Sequence, residues 1–238
     1  MGSTRLPGKT LEPLAGQPSL LRIVHRLQRI PNISAVVVLT SENPRDNAIV
    51  ASCEEAGVSC LRGDENDVLG RFHAAAAALE PDRMVRITAD CPLVDPGVIS
   101  DLIGLQDADP SLEYAAVATG ALPADAGYRR FPDGLDGEVF TASALEQAWR
   151  EANDPFEREH VTPFIWRRPE RFAVAMLECE RDHGNERWTV DFPEDLAFVR
   201  AVYERLGDEE FGWRDVLALL EREPELRELN ERHRVLAD

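Results

Sequence analysis

The feature that most constrains the fold is an alternation of short apolar runs with segments of helical periodicity. The apolar runs that predict strands lie at 35–40, 58–61 and 84–88. They lack the regular alternation of polar and apolar residues that marks a half-exposed strand. Runs without this alternation are typical of strands covered on both faces. The segments that predict helices lie at 20–30, 46–56 and 67–79. This alternation predicts an α/β fold with a Rossmann-like, mostly parallel sheet, whose ligands bind beyond the carboxyl ends of the strands.

The pattern changes between about 114 and 165, where shorter extended pieces are separated by glycines. Pieces of this kind predict an antiparallel excursion from the parallel sheet. Further helices are predicted at 142–151, 158–167, 193–206 and 213–220, with a short strand at 187–190 and a solvated helix at the carboxyl end. The sequence has neither an internal repeat nor a long linker, so we expect residues 1–238 to form a single domain that includes the excursion.

Composition argues against several classes of protein. No run of eighteen apolar residues is present that could form a membrane helix. The net charge of −18 opposes binding to nucleic acid, which needs clustered basic residues. The amino terminus lacks the apolar stretch of a secretory signal, and the four cysteines form neither a C-x-x-C pair nor a zinc pattern. We therefore expect a cytoplasmic protein with reduced thiols.

The segment from Gly2 to Lys9, Gly-Ser-Thr-Arg-Leu-Pro-Gly-Lys, contains the only lysine of the chain. It does not match a P-loop, because five residues rather than four separate Gly2 from the Gly8-Lys9 pair. Glycines nevertheless let backbone N–H groups approach phosphate oxygens, and Arg5 and Lys9 supply positive charge in an acidic protein. We therefore predict a phosphate-binding loop, with a plain surface turn as the alternative.

Two aspartates follow predicted strands at the side of the sheet where ligands are expected. Asp90 comes after the run 84–88, and Asp191 comes after the run 187–190. Magnesium keeps several waters and shares substrate phosphates, so one or two protein carboxylates are enough to hold it. The pair therefore predicts a magnesium site. The alternative is that each aspartate caps the helix that follows it, which is the commoner use of aspartate in that position.

Two polar segments, 134–140 and 156–163, surround turns in the irregular region. Their charged and polar side chains could recognise the hydroxyls or the carboxylate of a sugar. The alternative is an ordinary surface helix with charge pairs four residues apart. The sequence contains neither a kinase catalytic loop nor a G-x-S-x-G motif, which argues against a kinase and against an α/β-hydrolase.

Six motifs occur in order along the chain. They are Met-Gly-Ser-Thr-Arg-Leu-Pro-Gly-Lys at 1–9, Arg-Gly-Asp-Glu-Asn-Asp-Val-Leu-Gly-Arg at 62–71, Arg-Ile-Thr-Ala-Asp-Cys-Pro-Leu-Val-Asp at 86–95, Gly-Leu-Asp-Gly-Glu-Val-Phe at 134–140, Arg-Glu-His-Val-Thr-Pro at 158–163 and Thr-Val-Asp-Phe-Pro-Glu-Asp-Leu at 189–196. Together they resemble the SpsF-type polysaccharide-biosynthesis cytidylyltransferases, relatives of the CMP-Kdo and CMP-sialic acid synthetases. The likeness covers nearly the whole chain.

The resemblance implies a fold of the nucleotide-diphospho-sugar transferase type and a role for individual residues. Those implied at the nucleotide are Gly2, Ser3, Arg5, Leu6, Gly8, Lys9, Asp67, Arg71 and Asp90. Those implied at the sugar are Asp136, Glu138, Glu159 and His160, and those implied at Mg²⁺ are Asp90 and Asp191. Relatives carry an apolar strand directly before the Met-Gly-Ser-Thr segment, so we expect the first strand to lie upstream of Met1. A homodimer is usual among such relatives.

The sequence therefore predicts Mg²⁺-dependent transfer of CMP from CTP to a sugar, with release of pyrophosphate, in surface-polysaccharide biosynthesis. The resemblance suggests an acidic 2-keto sugar as the acceptor. Catalysis would come mainly from positioning and charge neutralisation by Lys9, Asp90 and Asp191. Two alternatives stay open. One is a nucleotidyltransferase or glycosyltransferase that uses another nucleotide, and the other is an inactive homologue that acts as a binding partner.

Overall fold

The computed structural model describes residues 5–207 and 210–233, and its α/β fold confirms the predicted class. Gly2 and Ser3, two residues expected to bind phosphate, lie outside the described residues. The first half alternates strands with helices, as predicted. Its elements are β1 (Pro13–Leu14), β2 (Gln17–Pro18), α1 (Ser19–Gln28), β3 (Val37–Ser41), α2 (Asn47–Glu55), β4 (Ser59–Gly63), α3 (Val68–Leu79) and β5 (Arg83–Arg86).

The second half is richer in helices. Its elements are α4 (Pro96–Ala108), β6 (Tyr114–Val117), β7 (Glu138–Thr141), α5 (Ala142–Glu151), α6 (Pro155–His160), α7 (Pro163–Trp166), β8 (Val174–Leu177), α8 (Pro193–Leu206) and α9 (Trp213–Arg222). Segments of 3-10 helix lie at Lys9–Leu11, Pro44–Asp46, Ala124–Ala126 and Pro224–His233. Within the described residues, every helix is too short or too polar to cross a membrane.

The strands mix parallel and antiparallel pairing. Strands β3 and β4 pair in parallel, from Val37 opposite Ser59 to Ser41 opposite Gly63. A second sheet has the order β5-β7-β6-β8, in which β7 is antiparallel to both neighbours and β6 is parallel to β8. The return of β7 between β5 and β6 is the predicted antiparallel excursion. It places the segment 134–137, which leads into β7, beside the end of β5.

The second sheet is the middle layer between two groups of helices. Successive residues of a strand point to opposite faces, and β6 follows this rule. Ala115 and Val117 pack with the core formed by α4, α8 and α9, whereas Tyr114 and Ala116 pack with the core that includes α3, α5 and α7. A third cluster joins α1 and α2 to the β3–β4 pair. The functional side chains described below lie where this layered structure meets the loops.

Helix α4 is absent from the sequence-based prediction, although its start carries clear signals. Asp95 accepts a hydrogen bond from the backbone N–H of Val98 at 3.0 Å, and proline occupies the first turn. Both features are typical of a helix start.

Three predicted elements differ from the structure. The helix expected at 158–167 is broken by Val161, whose φ of 74° is left-handed, so α6 ends and α7 starts at Pro163. Pro163 occupies the first turn of α7, a position that proline favours because its missing N–H needs no partner there, so a new helix starts at this point. The strand expected at 187–190 is extended chain with one isolated bridge, between Asp133 and Arg187. The carboxyl-terminal helix is a 3-10 segment instead.

Candidate active site

The ammonium group of Lys9 brings together the residues that the sequence singled out. Its Nζ lies 3.0 Å from Oδ1 of Asp191, 3.3 Å from Oδ2 of Asp90 and 2.8 Å from the carbonyl oxygen of Val190. The Lys9 side chain is only 15% exposed, so these contacts form in a partly dehydrated place where charges interact more strongly than in water. The glycine loop and the two predicted metal ligands therefore form one cluster.

The backbone explains how these three side chains converge. Gly8 has a φ of 77°, a left-handed geometry that glycine tolerates, and it turns the loop into the 3-10 helix that carries Lys9. Asp90 lies in the loop between β5 and α4, and its carbonyl oxygen accepts a hydrogen bond from the N–H of Val190 at 2.8 Å. That bond fixes the segment before α8, and with it Asp191, beside Asp90.

Neither Asp90 nor Asp191 caps the helix that follows it, which was the alternative to metal binding. The cap of α4 is Asp95. At the start of α8, Oδ2 of Asp195 accepts the N–H groups of Asp191 and Phe192 at 3.0 and 3.1 Å. The carboxylates of Asp90 and Asp191 therefore stay available to cations and ligands.

Asp191 is held as a carboxylate. Burial by itself raises the pKa of Asp191, but the hydrogen bond from Lys9 and the charges of Lys9 and Arg5 outweigh it and lower the pKa. Arg5 lies 3.5 Å from Oδ1 of Asp191, with its guanidinium 5.0 Å from the centre of the Phe192 ring. Leu6, the neighbour of Arg5, packs on the main core and so anchors this end of the loop.

The structure adds Asp133 and Arg187, which sequence reasoning missed. Arg187 contacts Oδ2 of Asp133 at 3.1 Å, Oδ2 of Asp191 at 3.3 Å and Oδ2 of Asp195 at 3.0 Å. Burial and the nearby charge of Asp136 raise the pKa of Asp133 to about 7. Arg187 therefore balances several carboxylates at once and orients Asp191 from the side opposite Lys9.

A signal for Asp133 was present in the repeated Asp-Gly pairs at 133–134 and 136–137. Gly134 has a φ of 107°, and a Cβ added there would lie 2.6 Å from the backbone nitrogen of Thr189. Only glycine permits this close approach without displacing backbone, because all other residues carry a Cβ. The pairs mark the place where the loop before β7 meets the segment that carries Arg187.

Two adjoining depressions surround these residues. The first, which we call the acidic cleft, has a volume of about 370 Å³, and its charged lining consists of Asp90, Asp133, Asp136, Arg187 and Asp191. The second, which we call the sheet cavity, has a volume of about 610 Å³ and lies over β6, β7 and β8. Thr88, Ala121 and Asp136 line both of them. A ligand in the acidic cleft would therefore lie next to one in the sheet cavity.

The remaining predicted residues divide between three places. Glu138 and Asp136 line the sheet cavity, as expected for residues that face a substrate. Glu159 and His160 are exposed on α6, where the ring of His160 packs 4.3 Å from that of Phe156, and they are not among the described residues that line either depression.

Asp67 and Arg71, expected at the nucleotide, lie at the start of α3. Asp67 caps the helix by accepting the N–H of Gly70 at 2.8 Å and also accepts a hydrogen bond from Arg158 at 2.5 Å. The guanidinium of Arg71 reaches the carbonyl oxygen of Leu39 at 3.5 Å. Both residues are outside the described lining of the acidic cleft and the sheet cavity. They form a second polar cluster, between α3 and the β3–β4 pair.

The capacity of the site for a metal rests on two carboxylates. In the described part of the chain, no group of three His, Cys, Asp or Glu side chains is arranged to hold a metal ion. Asp90 and Asp191 nevertheless place oxygens within 3.3 Å of one position, that of the Lys9 ammonium. Two carboxylates that share one cation position are a donor set suited to Mg²⁺, which takes its other ligands from water and phosphate.

The chain is similar to several known proteins. A family model described as cytidylyltransferase matches residues 1–210. The spore coat polysaccharide biosynthesis protein SpsF of Bacillus subtilis strain 168 is 32% identical, over 94% of this chain and 92% of that protein. The 3-deoxy-manno-octulosonate cytidylyltransferase of Maricaulis maris is 32% identical, over 87% of this chain and 95% of that protein. A solved cytidylyltransferase from Leptospira borgpetersenii serovar Hardjo-bovis has a TM-score of 0.86 and 31% identity, over 95% of this chain and 92% of that one.

Proposed function

The chain belongs to the cytidylyltransferase family, and from that premise we propose that it transfers CMP from CTP to a sugar, releasing pyrophosphate, in surface-polysaccharide biosynthesis. The observation that supports this proposal is the convergence of Lys9 with Asp90 and Asp191, two carboxylates that line the acidic cleft beside the sheet cavity. The acidic cleft is lined with charged residues, as a site for Mg²⁺ and phosphates would be. The sheet cavity beside it is largely apolar and would take the sugar.

In this proposal the phosphates of CTP bind against the glycine loop and the acidic cleft. Lys9 and Arg5 approach Asp191 from the loop, and Arg187 approaches it from the other side. These three cations would neutralise the charge that develops on pyrophosphate as it leaves. Because Asp90, Asp133, Asp136 and Asp191 line the same cleft, Mg²⁺ held by Asp90 and Asp191 would be needed beside these cations for a highly anionic nucleotide to bind.

We propose that Asp90 and Asp191 hold Mg²⁺ when the nucleotide is bound. The ion would supply further charge neutralisation at the α-phosphate. Lys9 lies at the position that both carboxylates share, so the ammonium and the incoming cation compete for the same oxygens. Lys9 would then turn toward the phosphates, which offer it new anionic partners.

The acceptor sugar would occupy the sheet cavity, which meets the acidic cleft at Thr88 and Asp136. A hydroxyl presented at that junction would face the α-phosphorus for in-line attack. Holding both reactants at hydrogen-bond and van der Waals distances removes much of the entropic cost of their meeting. The protein would thus act mainly by orientation and electrostatic stabilisation.

The proposal also includes a cytoplasmic location. Cys53, Cys60, Cys91 and Cys179 are free thiols, as is usual in a reducing compartment. A homodimer remains part of the proposal, and size-exclusion chromatography with light scattering of the purified chain would test it.

The decisive experiment measures pyrophosphate release with CTP, UTP, GTP and ATP against a library of monosaccharides, with and without Mg²⁺. We expect release with CTP and Mg²⁺ only. A thermal-shift titration with Mg²⁺·CTP accompanies it, since a ligand at a hundred times its Kd adds about 2.7 kcal/mol of stability. A preference for another nucleotide would contradict the assignment of CTP. A thermal shift without turnover of any sugar would favour the binding partner considered above.

A further inference from the structure

The floor of the sheet cavity changes character from one strand to the next. Four of its lining residues form one row across the second sheet. Arg86 on β5 lies opposite Glu138 on β7, and Glu138 lies opposite Ala116 on β6. Ala116 in turn lies opposite Met176 on β8. Because neighbouring strands lie about 4.8 Å apart, this row spans about 14 Å from a charged end to an apolar end.

The charged end of the row adjoins the acidic cleft. Strand β5 leads into the loop that carries Asp90, and Thr88 and Asp136 line both depressions. In the proposed function the acceptor hydroxyl reacts at this junction. A carboxylate next to that hydroxyl would lie here too, where Lys9 is released once Mg²⁺ takes Asp90 and Asp191.

The floor at the charged end has a fixed polar surface. Nη1 of Arg86 lies 2.5 Å from Oε2 of Glu138. The other carboxylate oxygen, Oε1, accepts hydrogen bonds from the hydroxyls of Tyr114 at 2.8 Å and Thr162 at 2.5 Å. Every group of this network has a partner, so the charged end can meet a polar part of the acceptor without being rearranged.

The opposite end of the cavity is apolar. Among the described lining residues on β6 and β8, none is charged, and the side-chain hydroxyl of Tyr114 already donates to Glu138. A sugar hydroxyl placed over Val174 and Met176 would lose water without gaining a partner, which is unfavourable. An alkyl or acyl group at the same place gains free energy by leaving water. The β8 end therefore favours an apolar substituent.

Exposed apolar side chains surround this end of the cavity. Trp166, Tyr128 and Val174 are 41%, 40% and 36% exposed, and all three line the cavity. Tyr128 lies beside the end of β8, because the N–H of Cys179 donates to the carbonyl oxygen of Arg129 at 2.9 Å. Large apolar side chains gathered on a surface mark places where a ligand or partner binds.

Trp166 is held in place although it is exposed. It ends α7, whose Phe164 and Ile165 are buried. The guanidinium of Arg167 lies 5.1 Å from the centre of the Trp166 ring and 4.5 Å from the centre of the Phe156 ring. A ring fixed in this way loses little conformational freedom when a ligand packs on it, so it offers a pre-formed apolar wall.

We propose that Trp166, Tyr128 and Met176 form an acceptor subsite for an apolar substituent, an N-acyl group or the methyl of a deoxy carbon, remote from the reacting hydroxyl. Trp166 determines the preference for that substituent. The inference rests on the proposed function, which places the acceptor in this cavity. A sugar acid satisfies it, because the carboxylate and the apolar substituent would lie at opposite ends of the cavity.

The test uses pairs of sugars that differ at one substituent. Suitable pairs are N-acetylneuraminic acid with the analogue that carries a hydroxyl in place of the acetamido group, N-acetylglucosamine with glucose, and D-fucose with D-galactose. Pyrophosphate release from Mg²⁺·CTP by the full chain is measured for each sugar. Calorimetry measures binding of the same sugars in the presence of a non-hydrolysable CTP analogue. We expect tenfold or greater preference, in binding and in kcat/KM, for the acylated or deoxy member.

The other outcomes separate the inference from the proposed function. Equal or stronger binding and turnover of the hydroxyl members would overturn the inference and leave cytidylyl transfer intact. A CTP-induced thermal shift without binding of any acylated or deoxy sugar would also overturn the inference. Absence of both the thermal shift and pyrophosphate release would overturn the proposed function and the inference with it.

Variants of Trp166 add a second measurement. In Trp166→Ala the KM for the preferred acceptor should rise at least tenfold, while kcat and the KM for CTP change less than threefold. The preference within each pair should fall at least tenfold. Trp166→Phe keeps an aromatic ring and should retain most of the preference. These values separate a role in acceptor binding from a general loss of structure, which would also change kcat and the KM for CTP.

The matched control is Trp149→Ala. Trp149 is a tryptophan of similar exposure, 37%, whose ring stacks 3.8 Å from that of His73 and which is not among the described lining residues of the cavity. We expect this variant to keep the wild-type preference. An unchanged preference in folded Trp166→Ala, or an equal loss in Trp149→Ala, would overturn the inference. If Trp166→Ala fails to fold, the sugar pairs on the wild-type chain still decide.

Discussion

The acidic cleft and the sheet cavity adjoin, yet they handle charge in opposite ways. In the cleft a cation is shared, since Lys9 contacts both Asp90 and Asp191. In the cavity Arg86 is closed in a short pair with Glu138, which two hydroxyls complete. A shared cation can exchange one partner for a ligand at little cost, whereas a closed buried pair resists exchange. Variants of the cleft should therefore lose function, and variants of the Arg86–Glu138 pair should lose stability.

The largest effect is expected from Asp191→Asn. The amide keeps the shape of the side chain but removes the charge that faces Lys9 and the proposed magnesium. We expect kcat/KM for CTP-dependent pyrophosphate release to fall about 1,000-fold, which corresponds to about 4 kcal/mol of transition-state stabilisation. Circular dichroism should show a retained fold. Asp101→Asn, an exposed site on α4, is the matched control, and turnover within threefold of wild type for Asp191→Asn would contradict the assignment.

A large loss of stability is expected from Arg86→Met. The change leaves Glu138 charged and mostly buried, so the free energy of unfolding in urea should fall by about 3 kcal/mol. The double variant Arg86→Met/Glu138→Gln should recover more than half of this loss, because the stranded charge is gone. Arg83→Met on the same strand is the control, since its pair with Asp107 is more exposed and should matter by under about 1 kcal/mol. Equal losses in Arg86→Met and Arg83→Met would show that the Arg86–Glu138 pair stabilises the fold no more than an exposed pair does.

A smaller effect is expected from Lys9→Gln, which removes the shared cation. The KM for CTP should rise about tenfold to a hundredfold, because phosphate loses a compact cationic partner. The free energy of unfolding should change less than in Arg86→Met, since Arg5 and Arg187 still contact Asp191. Nucleotide titrations and urea unfolding measure the two quantities. A loss of stability larger than that of Arg86→Met would show that the contacts of Lys9 with Asp90 and Asp191 resist exchange as strongly as the Arg86–Glu138 pair does.

The smallest effect concerns Asp46, a carboxylate outside both regions that provides a reference for them. Burial by itself raises the pKa of Asp46, but hydrogen bonds from Ser41 and Thr40 outweigh it and lower the pKa to about 2, from an ordinary 3.8. A lowered pKa stabilises the fold above the ordinary value, and this stability is lost as the pH falls from about 4 to about 2. Asp46→Asn should therefore be less stable than wild type by about 1–2 kcal/mol at pH 6.

The difference between wild type and Asp46→Asn should shrink toward zero as the pH approaches 2. Thermal unfolding of both proteins between pH 2 and 7 measures it. A constant difference across that range would mean that the side chain acts by shape alone. The result also serves as a reference for the Arg86→Met measurement, because both carboxylates accept hydroxyl hydrogen bonds and Glu138 in addition contacts Arg86 at 2.5 Å.

Sequence reasoning succeeded where the physics is local. The helices at 142–151 and 193–206 have the predicted bounds, because periodicity, a capping threonine and an opening proline define them within a few residues. Lys9, Asp90 and Asp191 were assigned to one site from the sequence, and they lie together because strand ends and a glycine loop converge in an α/β fold. These features depend on short segments and on a general rule of topology.

Sequence reasoning failed where the contact is distant. Arg187 and Asp133 are 54 residues apart, and no periodic pattern connects them. Glu159 and His160 are exposed on α6, whereas Thr162, which follows the break at Val161, donates a hydrogen bond to Glu138. The charges in a motif can be read from the sequence. The direction in which they point depends on tertiary contacts that assemble only in the fold.

The position of the single lysine has a practical consequence. Reductive methylation with ¹³C-formaldehyde modifies primary amines and keeps their charge, so besides the α-amino group it would label only Lys9. The methyl resonance of a group that lies 3.0 Å from Asp191 would report directly on the proposed nucleotide site. One chemical-shift titration could then follow nucleotide, magnesium and acceptor in turn, so the protein carries a spectroscopic probe of its own site without any substitution.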